Sequence, residues 1–309
     1  MRVTISYNNI QAGASFTPLV LLMFAREFRE CGVEVRFERN QPGARFLALP
    51  SDNPFSEKYS AALSLVRTLR GEDFDPARRL AVDYEINPGR DDITGVITAF
   101  GCPYHNCRSC MHEGLRYARR PLDRVLAELE WVAARRDYFE FYDTDVMADR
   151  DRFVEILGAV PAGTTWGGLL HVDEYEDSVL QALYAHGGRN LYVGIETFND
   201  LDLAYYRKRY RDRGVDPRRF LLGLRAIGFN PMAFMIRGLP DERPGELDDA
   251  LAWMDANGIY SFVTRYWSGD SGEVRETRHL SRAYLDEARR RDAARTSAGL
   301  ARMLSPRGS

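Results

Sequence analysis

From residue 93 to residue 267 the chain alternates six short apolar stretches with amphipathic ones, and this alternation limits the fold more than any other feature. The apolar stretches cover residues 93–100, 138–142, 164–171, 190–195, 231–238 and 260–267, and their length and pattern read as strands. Residues 122–135, 150–159, 176–186, 217–227 and 245–257 carry apolar side chains at helical spacing, and residues 281–303 add a last helix. Six successive strand–helix units argue for a parallel sheet. The expectation is an α/β fold with a partial (β/α)6 parallel barrel over residues 89–309. In such barrels the chemistry sits at the carboxyl ends of the strands, so the strand tips are where functional side chains should gather.

The first 88 residues read as a small N-terminal α/β domain. Residues 3–7 and 33–37 look like strands on either side of a helix at 17–31 closed by Gly32. Residues 46–49 suggest a further strand and 57–69 a helix, and the polar stretch 71–79 places a boundary near residue 88. The longest apolar run, residues 18–25, is far short of the roughly 20 residues a membrane span needs, so no membrane segment is expected. Nor does the N-terminus resemble a secretory signal, which points to the cytoplasm. Basic residues are nearly all arginine, with lysine only at Lys58 and Lys208, and they are interspersed with acids throughout a chain of formal net charge −3. That distribution offers no nucleic-acid patch.

Three of the four cysteines, Cys102, Cys107 and Cys110, follow directly on the first strand of the alternating region. In a reducing compartment such a group reads as metal-binding before it reads as disulfides. Three thiolates so close can ligate three irons of a 4Fe–4S cube and leave the fourth iron open. Structural zinc with His105 or His112 as a fourth ligand is the alternative, although closed zinc sites usually show two separated ligand pairs. The fourth cysteine, Cys31, near the end of an apolar helix, reads as a buried small hydrophobe, and His186 as a helix C-terminal residue.

Taken in order, the strand tips carry a specific resemblance. Gly101-Cys102-Pro103-Tyr104, Phe141-Tyr142-Asp143-Thr144-Asp145, Leu170-His171-Val172-Asp173, Val193-Gly194-Ile195-Glu196-Thr197 and Gly238-Leu239-Pro240-Asp241-Glu242 resemble the first five barrel-strand tips of radical S-adenosylmethionine (SAM) enzymes. The likeness covers roughly residues 88–270. The resemblance implies a 4Fe–4S cluster on Cys102, Cys107 and Cys110 and a SAM molecule bound at its open iron, cleaved to a radical that removes hydrogen from substrate. It also implies site roles: Asp143 or Asp145 for the SAM ammonium, Glu196 for ribose hydroxyls, His171 where relatives often carry arginine, Arg207 or Lys208 for the SAM carboxylate, and Gly238 in a turn close to adenine. The cysteine spacing of four residues and then two is one longer in its first gap than the common pattern. Ser109 also stands where an aromatic residue is usual, which passes adenine packing to Tyr104 or Met111.

Arg237, Arg265 and Trp267 near the barrel mouth suggest a small polar or anionic metabolite as substrate, since the guanidinium fork matches carboxylate and phosphate, with an ion pair to a neighbouring acid as the alternative for each arginine. An external donor such as flavodoxin or ferredoxin would supply electrons. The first residues weakly resemble the start of a cobalamin-binding domain, but the Asp-x-His-x-x-Gly motif is missing and the segment is short, so the expectation is a reduced module without bound cobalamin. Modification of a peptide and a non-catalytic zinc or iron–sulfur protein are the alternative functions.

Overall fold

The strand tips that matter are brought together by a single sheet, visible in a computed structural model that describes residues 2–7, 26–39, 64–71, 73, 95–104, 107, 117–173, 175–205, 207–265 and 279–280. Strands β1 (Arg2–Tyr7) and β2 (Glu34–Arg39) pair in parallel as a two-stranded ladder of their own. Strands β4 (Ala99–Phe100) and β5 (Ala118–Arg119) pair antiparallel and frame the cysteine segment. The main sheet contains β3 (Gly95–Val96), β6 (Tyr138–Phe141), β7 (Thr165–Leu170), β8 (Gly188–Glu196), β9 (Asn230–Arg237), β10 (Tyr260–Arg265) and the short antiparallel β11 (His279–Leu280).

The order across that sheet is the order along the chain, and β3 and β6 to β10 are all parallel. Each crossover therefore steps one strand in the same direction and lays its helix on the same side, which curls a twisted sheet toward a barrel instead of winding it on both faces. Alternation along the strands separates the two sides. Phe139 and Phe141 of β6 and Trp166 of β7 turn outward, where Phe141 and Trp166 meet Phe153 of the helix Arg150–Gly158 edge to face at 5.0 and 5.5 Å. Leu191, Val193 and Ile195 of β8 join the same core. Tyr138, Glu140 and Tyr142, Leu169, Tyr192, Phe234 and Phe262 face the other way, into the barrel interior, and stay partly accessible there.

Local signals explain the elements. The helix Pro217–Ile227 begins where Asp216 accepts from the Arg218 amide at 2.9 Å with Pro217 in the first turn, and it ends at Gly228, whose φ of 113° only glycine adopts cheaply. The predicted strand 93–100 is split instead into β3 and β4. Its middle carbonyls and amides go to side chains: Ile97 O accepts from Arg120 Nη1 at 2.6 Å, and Thr98 N donates to Asp143. The predicted elements at 46–49 and 281–303, and most of those at 17–31 and 57–69, lie outside the described residues. Cys31 is partly exposed, a correction to its reading as a core residue, because the turn Cys31-Gly32 lifts it off the helix. Among the described residues no helix is long and apolar enough to cross a membrane.

Candidate functional site

At the carboxyl end of the sheet the tips of β6 and β7 hold the segment that carries Cys102. Asp143 Oδ1 accepts from Thr98 Oγ1 at 2.6 Å and from the Ala99 amide at 2.8 Å, and Oδ2 accepts from the Thr98 amide at 3.0 Å. Thr144 Oγ1 donates to Gly101 O at 2.7 Å, and Gly101 turns the backbone with φ of 73°. The His171 ring lies 4.9 Å from that of Tyr104. Three tip residues thus grip the chain on both sides of Cys102. Beneath them the buried Arg120 guanidinium forms a two-pronged pair with Glu128 at 2.7 and 2.8 Å. Its backbone amide donates to Thr98 O. Nothing in the sequence pattern singled out Thr98, Arg120 or Glu128.

Cys102 is buried, and its Sγ accepts the Tyr104 amide at 3.4 Å. Cys107 is partly accessible. Cys110 and Met111 lie outside the described residues, as do His105, His112 and Trp267. Of Arg265 the structure describes the backbone alone, in register opposite Arg237. A buried thiol at a strand end with an amide aimed at its sulfur, and a second thiol five residues on, are donors suited to a soft metal or an iron–sulfur cluster.

Both tip acids differ from the role the resemblance gave them. Asp143 and Asp145 are buried, 4% and 3% exposed, and their oxygens face protein groups instead of the barrel mouth. Asp145 accepts from the amide of Met147 at 3.0 Å and stands 3.4 Å from His171 Nδ1. Burial raises Asp143 to about 6 against the lowering effect of its bonds to Thr98 and Ala99, and raises Asp145 to about 7 against those to Met147 and His171. The physical reason is the short loop after β6, which turns both carboxylates back onto backbone amides. They position the cysteine segment and His171; they do not line the opening.

The accessible tip residues are His171, Glu196 and Lys208. Glu196 ends β8 at a register shift, with φ of 67°, a conformation costly for a residue with a Cβ. Lys208 Nζ donates to Glu196 Oε1, and the Tyr210 hydroxyl donates to Ile195 O at 2.9 Å, fixing the segment that follows. Arg207 is exposed, also at positive φ. Gly238 takes φ of 84°, and its amide and that of Leu239 donate to Glu242 Oε2, which closes the turn after β9. Arg237 does not face the barrel. It pairs with Asp248 at 2.7 Å on the outer helix side, because alternation along β9 puts Phe234 and Ile236 inside and Arg237 outside. This removes it as a reason to expect an anionic substrate.

No protein-family model matches the sequence, and no curated protein matches it either. Solved structures do. The chain superposes on the radical SAM methyltransferase TsrM of Kitasatospora setae, solved with tryptophan and a SAM analogue, with a TM-score of 0.54 at 14% identity. That match covers 85% of this chain and 72% of that one. Against the cobalamin-dependent radical SAM enzyme OxsB, solved with aqua-cobalamin, the TM-score is 0.52 at 10% identity, with 88% and 54% covered. The fold is that of radical SAM enzymes. This chain spans about half the length of OxsB, and in TsrM solved with cobalamin and a [4Fe–4S] cluster the match takes in 34% of that chain.

Proposed function

We propose that this chain is a radical SAM enzyme acting on a small molecule. The supporting observation is the grip of consecutive strand tips on the Cys102 segment: Asp143 on Thr98 and Ala99, Thr144 on Gly101, and His171 against Tyr104. A strand tip that served only to end a strand would not need three side chains on one loop.

In this reading Cys102, Cys107 and Cys110 hold a 4Fe–4S cluster, which would supply the electron that cleaves SAM to methionine and a 5'-deoxyadenosyl radical able to take hydrogen from substrate. The chain's own residues bind and orient. The Tyr104 amide directed at Cys102 Sγ stabilises negative charge on sulfur. His171, held by Asp145 beneath it, presents its accessible edge to the cofactor, and Lys208 stands at the β8 tip as the cation for a carboxylate with Glu196 beside it for hydroxyl groups. The turn at Gly238 leaves open space where a side chain would begin, which suits a flat base lying close to the backbone. Electrons come from an external flavodoxin- or ferredoxin-type donor, and the N-terminal segment is read as a reduced module that works without cobalamin.

Anaerobic reconstitution with iron and sulfide tests the reading. The expected result is a visible cluster absorbance band and release of 5'-deoxyadenosine from SAM, with both lost in Cys107→Ala. Stoichiometric zinc without SAM cleavage would overturn it.

A further inference from the structure

Away from the strand tips, the half-buried Arg218 is a cation held in place without a counter-ion. It belongs to the connection from β8 into the helix Pro217–Ile227, where residues 207–219 carry seven basic residues against two acidic ones in a chain of formal net charge −3. Lys208 pairs there with Glu196 and Arg213 with Asp173, while Arg211 reaches only its exposed neighbour Asp212, at 3.4 Å. Arg218 uses its backbone amide, on Asp216, and among the described residues its guanidinium makes neither an ion pair nor a hydrogen bond. Packing nevertheless fixes it. Its Cζ lies 4.3 Å from the ring centre of Phe198 and 4.9 Å from that of Trp253 in the helix Glu246–Ala256, and the two rings meet edge to face at 5.8 Å. Stacking satisfies the face of a guanidinium and leaves the N–H groups along its edge unpaired.

Arg218 lines an open cavity of about 660 Å³, within the size range of small-molecule sites. Phe198, Leu203 and Tyr210 form its apolar wall, and Arg211 stands on the same cavity as Arg218. Three acids line it too. Asp216 spends Oδ1 on the Arg218 amide, Asp212 faces Arg211, and Asp200, Asp212 and Asp216 are all exposed, so water screens them. Of the charges around the cavity, only that of Arg218 has been drawn partly out of water, and burial of a charge is unfavourable until something pairs with it. A smaller hollow of about 120 Å³ on its other side contains Glu242 and Glu246, but their Oε2 atoms accept backbone amides of Gly238, Leu239 and Arg243, and neither acid forms an ion pair with Arg218. His171, Glu196, Lys208 and Gly238 are not among the lining residues, which separates the larger cavity from the position read for SAM.

We propose that this cavity is a further small-molecule site and that it takes the oxyanion end of a metabolite, a phosphate or a carboxylate. The fork of Arg218, already oriented by its two aromatic neighbours, meets the anion edge on, and Arg211 leaves its weak exposed pair with Asp212 to reach the same group. The inference goes beyond the proposed function and does not depend on it.

The test titrates the full chain, reconstituted anaerobically with iron and sulfide and then desalted, with phenyl phosphate, benzoate and benzylamine, followed by titration calorimetry and saturation-transfer NMR. At least one of the two anions should bind about tenfold or more tightly than the amine, and the tighter one identifies phosphate or carboxylate as the group recognised. Arg218→Gln should weaken that binding by about tenfold, as expected for a charge-assisted contact, and Arg218→Lys, which keeps the charge and loses the fork, by about threefold. Arg211→Gln, on an exposed side chain, should cost about threefold and serves where Arg218→Gln does not fold. Excess SAM should leave the bound anion in place. Equal binding of anion and amine, no binding of any of the three, anion binding untouched by both glutamine variants, or displacement of the anion by SAM would overturn the proposal.

Discussion

Asp143 and Asp145 stand two residues apart on one strand tip, and burial defines their work as positioning. Replacing Asp143 by alanine leaves the amides of Thr98 and Ala99 and the Thr98 hydroxyl buried without their acceptor, at a cost of about 3 kcal/mol. Asparagine retains an oxygen for the bonds that Oδ1 accepts. Iron bound per chain after reconstitution, with urea unfolding alongside, should therefore fall strongly in Asp143→Ala and recover by more than half in Asp143→Asn. Equal iron content in both variants and the parent would remove Asp143 from the positioning of the cysteine segment. Asp145 gives a pH signature. Its carboxyl is raised from 3.8 to about 7, so the folded protein keeps a proton that the unfolded chain has already released. The sign follows from linkage: the stabilising contribution is complete below about pH 4 and is lost as pH rises through about 7, on the order of 4 kcal/mol in all. The melting temperature of the protein without iron should fall between about pH 5 and pH 8, and Asp145→Asn should flatten that fall; an unchanged slope would contradict the assignment. The residues also show where sequence reading reaches. The tip acids were legible as a pair but not as buried, because burial depends on how a loop turns. For Arg237 the ion-pair alternative is the one observed, with Asp248, and period-two alternation from Phe234 already puts it outside.

At the scale of elements, the β7–β8 connection runs through a glycine pair, Gly187 and Gly188, of which Gly187 is the tighter. Gly187 has φ of 91°, and a Cβ there would overlap Thr164 O, whereas Gly163 has φ of 87° with open space where its Cβ would lie. Both alanine variants incur the conformational cost, about 1–2 kcal/mol. Only Gly187→Ala adds an overlap with backbone that cannot move aside, about 1–3 kcal/mol more. Urea unfolding should therefore rank Gly187→Ala below Gly163→Ala by about 2 kcal/mol, and equal stabilities would show that β7 and β8 adjust to the added atom. Helices were the most legible elements, with Pro217–Ile227 read to the residue because Asp216-Pro217 starts it and Gly228 stops it. The first barrel strand was the least legible. Its alternating apolar pattern continues through Ile97 and Thr98, but the backbone there bonds to Arg120 and Asp143, side chains 23 and 45 residues away, which no local pattern encodes.

For the whole molecule, alternation along the chain fixed a parallel sheet, and the crossover rules left few orders for it, so the partial barrel was legible before its contacts were known. The pairing lengths were not, and they have a consequence for function. β8 pairs over six positions with β9, and β9 over six with β10, whereas β3 touches β6 at two. The cysteine segment thus follows a strand paired at only two positions, and side chains of the neighbouring tips do the work that ladder bonds do elsewhere. Opening at that edge should cost much less than global unfolding, while amides of β8 and β9 should exchange only when the whole sheet opens. Hydrogen exchange read by mass spectrometry should accordingly show residues 95–104 exchanging far faster than residues 190–195 in iron-free protein. A ligand set spanning Cys102 to Cys110 binds only the closed form, so loading with iron and sulfide should slow residues 95–104 by at least about tenfold and leave 190–195 nearly unchanged. Exchange of 95–104 that ignores loading would mean that the metal is held elsewhere, and the strand-tip grip would then have to serve some purpose other than presenting Cys102.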